Sequence, residues 1–174
     1  AYSNILVNNA LDKFKPGKSD VALITELVYG VLRWRNTLDW ILQGRSKREI
    51  ETLSPWIRNI LRLGVYQLAF LNRIPKPVAC NESVELAKIY GHLGEVRFVL
   101  RKVARDIDKI SFPDIEAEPI RHLAIKYSHP EWLVERWFNR FGLEETILLC
   151  TANNQPPSFT IRANTLKVSR EELK

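Results

Sequence analysis

The sequence predicts an all-α chain, and three observations carry that reading. Apolar residues recur at helical spacing through most of the first 110 positions. Serines followed by proline or by an acidic residue three places on stand where helices would start. One stretch alone, near the end, alternates apolar and polar residues as a strand does. A hydrophobic content of 45% excludes disorder, and 174 residues can bury one sizeable core and part of a second.

Ser19 is read as the cap of a helix with Leu23, Ile24, Leu27, Val28, Val31 and Leu32 on one face. Residues 36–44 continue it, with Leu38, Ile41 and Leu42 inward and Gly44 as a stop. Ser46-Lys-Arg-Glu49 is a capping-box pattern for a short helical turn. Ser54-Pro55 opens the clearest helix, with Ile57, Ile60, Leu61, Leu63, Gly64, Val65, Leu68 and Leu71 following. Pro75 and Pro77 close it, and the next helix is expected from about Ala79 to Tyr90. Gly91 and Gly94 bracket a turn before a helix carrying Val96, Val99, Leu100, Val103 and Ile107.

Residues 111–119 form a short acidic linker, and two more helices follow it. Ser128-His-Pro-Glu131 reads as a second capping box, with Trp132, Leu133, Trp137 and Phe138 as the apolar residues and Gly142 as a stop. Residues 143–153 make another helix, and the alternation from Phe159 predicts a strand without a partner. The expected organisation is a helical domain over 1–110, a linker with connecting helices over 111–153, and the incomplete start of another domain over 154–174. There is no methionine and the chain opens inside a helical pattern, so it reads as a piece of a longer protein or as a sequence with residues missing.

Several chemistries lack their residues. His92, His122 and His129 are isolated and no Cys-x-x-Cys occurs, so no metal site is expected. No glycine cluster follows a strand to cradle a phosphate. Cys80 and Cys150 sit in apolar helical settings that give a thiolate no support, and two cysteines build no disulfide framework; a reducing cytoplasm is the expected setting. No catalytic or cofactor-binding residue is expected in this chain. No apolar run is long enough to span a bilayer.

Charge points elsewhere. The net charge is +6, yet residues 31–110 alone hold fifteen Lys and Arg against eight Asp and Glu. Arg97, Arg101, Arg105 and Lys109 recur every four residues, with Lys102 beside them, and Arg58 and Arg62 are likewise four apart. Arginine suits phosphate because its planar fork donates two parallel hydrogen bonds. A wet helix face would look the same. Candidate contacts to a phosphate polyanion are Arg33, Arg35, Arg58, Arg101, Lys102 and Arg105. Arg62 has a structural alternative, an ion pair with Glu82 or Glu85 of the next helix.

The segments "ITELVYGVLRWRNTLDWIL", "IRNILRLGVYQLAFLNRIPKPVACNESVELAK" and "FVLRKVARDI" resemble the NusB-type helical RNA-binding domain. "YSHPEWLVERWFNRFG" and "NNQPPSFTIRANTLKVSREEL" resemble the junction and opening strand of the Sun/Fmu-type ribosomal RNA cytosine-5 methyltransferases. The resemblance covers nearly the whole chain. It implies a NusB-like bundle followed by the first strand of a truncated α/β methyltransferase domain. It also implies an S-adenosylmethionine-dependent parent enzyme acting on small-subunit ribosomal RNA, with the reactive cysteines and the cofactor site downstream of Lys174. The implied partners are that RNA and the chain's own C-terminal catalytic domain, with the protein a monomer. The family's Phe-Val-Asn-x-x-Leu-Arg pattern is three residues shorter here, where Val99 runs into Leu100-Arg101. If those residues were restored, Arg97 would leave the stripe, while Arg101 and Arg105 would stay. The alternatives are a free-standing antitermination factor, which would end near residue 110, and a helical protein-interaction module.

Overall fold

A computed structural model describes residues 2–90, 93–156 and 160–172, and among these every regular element is helical. The helices are α1 (Ser3–Phe14), α2 (Lys18–Arg33), α3 (Arg35–Gln43), α4 (Pro55–Phe70), α5 (Lys76–Tyr90), α6 (Leu93–Asp106), α7 (Pro119–Lys126) and α8 (Glu131–Asn153). Short 3₁₀ turns occupy Ile50–Thr52 and Ile107–Lys109.

Helix α4 is the axis of the first core and starts as its sequence dictates. The Ser54 hydroxyl accepts the Ile57 N–H, and Pro55, which has no N–H to lose, fills the first turn. Ile57, Ile60, Leu61, Gly64, Val65 and Leu68 are all buried, and α4 packs on α2, α3, α5 and α6. Its tightest crossing is at Gly64, where an added Cβ would stand 2.7 Å from a Leu100 methyl and 2.9 Å from the Ser83 hydroxyl. Helix α5 presents Ala79, Ser83, Val84 and Ala87 to that crossing, and α6 presents Val96, Val99, Leu100 and Val103. Small side chains on α4 and α5 therefore let the larger ones of α6 sit close to both backbones.

Helices α2 and α3 are separate because Trp34, between them, leaves helical geometry at φ −98° and ψ 16°. Its ring stacks on Phe70 at 4.6 Å, at the edge of the bundle. Helix α1 buries only Val7 and leaves Ile5, Leu6 and Phe14 exposed.

Several starts differ from expectation, each for a local reason. Helix α2 begins at Lys18 after Gly17, and Ser19 caps nothing. Ser46 takes the Arg48 N–H at 3.1 Å in a tight turn, so the helical turn forms later, at Ile50. Helix α5 begins at Lys76 because a proline at its second position costs no hydrogen bond. Gly94 lies in the first turn of α6, and Gly91 is outside the described residues.

The expected capping box at Ser128 does not form. That residue has a left-handed φ of 58°, and its hydroxyl accepts the Asn36 N–H at 2.9 Å, capping α3 from 92 residues away. Within α8, Gly142 (φ 78°, ψ −178°) breaks the helix as the sequence predicts. The break turns the chain back on itself. A straight helix of 23 residues would separate its ends by about 34 Å, yet Asn154 Nδ2 donates to the Tyr127 carbonyl at 2.8 Å. The folded-back segment closes a second, smaller core of Leu123, Ala124, Val134 and Cys150. Trp132, one of the apolar residues of this helix, is exposed.

The expected strand is absent from the described residues: Phe159 lies outside them, and 160–164 form no regular structure. A lone strand leaves its backbone groups unpaired, and no second strand is present among the described residues to satisfy them.

Candidate nucleic-acid interface

Helix α6 builds the site. With Val96, Val99, Leu100 and Val103 turned into the core, Arg97, Phe98, Arg101 and Arg105 must face out, and Lys102 lies half-buried at the edge. These five residues and Gly94 line a shallow depression of about 550 Å³. It adjoins a second depression, lined by Lys47, Arg48 and Glu95, across Gly94 and Phe98. Across Arg101 and Arg105 it adjoins a third, lined by Lys76, Cys80 and Asn81. The three form one continuous track crossing α6, with cations along its length and one exposed aromatic ring. That ring is Phe98, 48% exposed, and the Lys47 ammonium stands 5.4 Å from its centroid.

Charge along the track is unevenly committed. Arg105 donates to Asp106 at 3.0 and 3.1 Å, a contact that holds the Asp106 carboxyl below its usual range and raises the Arg105 guanidinium. Lys76 lies 3.8 Å from Asp108, with both side chains well exposed. No ion pair joins Arg97 or Arg101 to a carboxylate among the described residues. Those two are open to a phosphate.

The six candidate RNA contacts do not form one patch. Arg101, Lys102 and Arg105 are brought together on α6. Arg58 is half-buried, and its guanidinium reaches the Glu51 carbonyl at 3.5 Å. Arg35 is exposed at the start of α3, while Arg33 reaches the Asn154 carbonyl at 3.4 Å. The "YGVLRWR" segment thus places one of its two arginines on the end of α8.

The expected pairing of Arg62 needs correction. Its partner is Asp39 of α3, held by two bonds of 2.7 Å, and neither Glu82 nor Glu85 takes part. Both glutamates project from the outer face of α5, opposite its buried Ala79, Ser83 and Ala87, and Glu85 binds Lys88 instead.

Sequence reasoning also missed Phe98, Lys47, Arg48 and Lys76. A signal existed for Phe98, which lies between Arg97 and Arg101 on the same turn of the stripe. Apolar type argued for burial, whereas the spacing of Val96, Val99, Leu100 and Val103 puts Phe98 on the opposite face of α6.

The cysteines are packing groups. Cys150 is fully buried, which pushes its thiol up to about 11; burial also raises Cys80, whose Sγ lies 3.8 Å from the Leu100 carbonyl. A nucleophile needs the opposite shift. Among the described residues no group of three His, Cys, Asp or Glu could hold a metal, and no helix is long and apolar enough to cross a membrane.

Residues 1–105 match the NusB family, and residues 129–174 match the Methyltr_RsmF/B-like, ferredoxin-like domain. The chain is 38% identical over 175 residues to a probable ribosomal RNA small subunit methyltransferase B of Bacillus subtilis, covering 99% of this chain and 39% of that protein. It is 37% identical over 176 residues to a Synechocystis protein of the same name, with the same coverage. The ribosomal RNA small subunit methyltransferase B of Escherichia coli O1:K1 is 31% identical over 160 residues, covering 90% of this chain and 35% of its own length. The chain therefore spans about two fifths of the length of the relatives it matches. With more than half of its residues inside the first match, and its helical bundle built as described above, the chain belongs to the NusB family, with its residues 129–174 matching a Methyltr_RsmF/B-like, ferredoxin-like domain.

Proposed function

We propose that this chain is the RNA-holding portion of an S-adenosylmethionine-dependent methyltransferase that acts on cytosine C5 in small-subunit ribosomal RNA, in the cytoplasm. The observation that carries the reading is the continuous cationic track on α6, with its exposed phenylalanine. The names of the relatives supply the substrate class. Cations spaced along a groove bind the phosphate backbone, and a flat ring in their midst gives an unstacked base a surface. The match over residues 129–174 favours this over a free-standing antitermination factor, which has no need of a second domain.

The methyl donor does not fit this stretch. Among the described residues there is neither a strand nor a glycine-rich turn to bind a nucleoside cofactor. Salt titration of the chain against single-stranded ribosomal RNA tests the reading. Binding should weaken steeply with salt, and calorimetry with S-adenosylmethionine alone should give no saturable heat. Salt-independent RNA binding, or none at low salt, overturns it.

A further inference from the structure

We propose that the corner between α2 and α3 is a positioning joint, which fixes the angle between the cationic bundle and the segment that leaves Asn154. The two hydrophobic cores share no residue: one draws on residues 38–103, the other on Leu123, Ala124, Val134 and Cys150. What joins them at this corner is a polar seam. The Asn36 N–H donates to the Ser128 hydroxyl at 2.9 Å, and the Asn36 amide to the His129 carbonyl at 3.2 Å. The Thr37 hydroxyl, almost fully buried, donates to the Ile125 carbonyl at 2.6 Å. Arg33 reaches the Asn154 carbonyl, where the positive guanidinium suits the negative end of α8. Asn154 in turn donates to Tyr127.

Apolar contacts tolerate sliding, whereas hydrogen bonds weaken steeply once misaligned. A seam of five bonds from Arg33, Asn36 and Thr37, whose hydroxyl also reaches the Lys126 carbonyl at 3.5 Å, therefore defines an orientation as well as an attachment. Ser128 supports this in a second way. A serine at φ 58° is in a conformation that L side chains adopt rarely, and it is retained where its hydroxyl supplies the cap that Trp34 cannot. Arg33, Asn36, Thr37 and Ser128 are positioning residues, acting on whatever follows residue 154 and not on RNA directly.

The link to methyl transfer rests on the function proposed above, so the test reads geometry and rate separately. Spin labels on Asn72→Cys and Glu144→Cys, both exposed sites, with Cys80→Ser as background, report the distance across the joint. In this chain, Ser128→Ala with Thr37→Val should broaden that distance distribution at least twofold, while the RNA dissociation constant stays within twofold. Arg33→Ala should do the same, and Ser128→Asn, which tolerates a left-handed φ and keeps an oxygen to accept the Asn36 N–H, should restore the parent distribution. In the methyltransferase that carries this chain, single-turnover transfer to bound RNA should fall about tenfold in the broadened variants and recover with Ser128→Asn. A distribution as narrow as the parent's overturns the joint. So does a tenfold loss of RNA affinity in Arg33→Ala without broadening. If the double variant does not fold, the exposed Arg33→Ala decides by the same distances. If the parent enzyme transfers no methyl group, the functional reading fails, and the distances still decide the joint.

Discussion

The Arg62 guanidinium meets the Asp39 carboxylate side-on, with Nε and Nη2 each donating at 2.7 Å across the α3–α4 interface. Both side chains are less than one third exposed. Arg62→Ala leaves the Asp39 carboxylate without its two donors at a partly dry interface, and should cost about 1.5–3 kcal/mol of stability. RNA affinity should be nearly unchanged, because the pair lies off the α6 track. Thermal melts beside RNA titrations check this; a variant that melts normally but binds RNA poorly would reverse the assignment.

Gly30 faces the Tyr66 ring so closely that an added Cβ would overlap its Cζ and hydroxyl. Alanine favours a helix by about 1 kcal/mol over glycine. Here the clash outweighs that gain, because Tyr66 is 4% exposed and donates its hydroxyl to Glu26. Gly30→Ala should lose a net of about 1–3 kcal/mol. Adding Tyr66→Leu should relieve the clash, so that the double variant is more stable than the two single losses added together.

Cys150 gives a pH dependence of known sign. Its thiol ionises near 11 in the folded chain and nearer 9 when exposed on unfolding. Above the unfolded value the unfolded chain alone sheds this proton, so stability falls as pH rises between the two values. Urea midpoints should therefore drop less between pH 8 and pH 10.5 in Cys150→Ala than in the parent. An equal drop in both would place the alkaline sensitivity in other groups.

Phe98 and Arg101 should fail in different ways. Phe98→Ala removes the ring and should weaken single-stranded RNA binding by about 1–3 kcal/mol, with the salt slope intact. Arg101→Ala should weaken binding and lower the slope by about one unit or less. Phe98→Trp should bind at least as well as the parent. Filter binding at several salt concentrations distinguishes them, and matched losses of slope would deny the ring a stacking role.

The parts of the fold that were legible in the sequence are those whose partners lie a few residues apart. Ser54 and Ile57 meet within a single turn, and the buried face of α4 repeats within two. Gly142 announced a break because its φ of 78° is open chiefly to glycine. Ser128 carried the same local signature as Ser54 but spent its hydroxyl on Asn36, a partner that exists only once the chain has folded. Arg62 had acidic candidates on two neighbouring helices, and only the inward turn of Ala79, Ser83 and Ala87 shows that Glu82 and Glu85 point away. The basic stripe was readable from its four-residue period. The ring that sits within it follows from the same period, which sets Phe98 opposite Val96, Val99, Leu100 and Val103, but an uncharged side chain carries no charge signal to mark it as part of the stripe.

The fold-back at Gly142 gives residues 131–153 a common doorway, because Tyr127 and Asn154 are hydrogen-bonded neighbours. A lobe attached by adjacent ends can change length without displacing its surroundings. One helical turn added before Gly142 and one after it would lengthen both arms together and leave Asn154 where it is. Relatives are therefore free to differ in the reach of this lobe, and insertions within it should come in matched pairs about its tip.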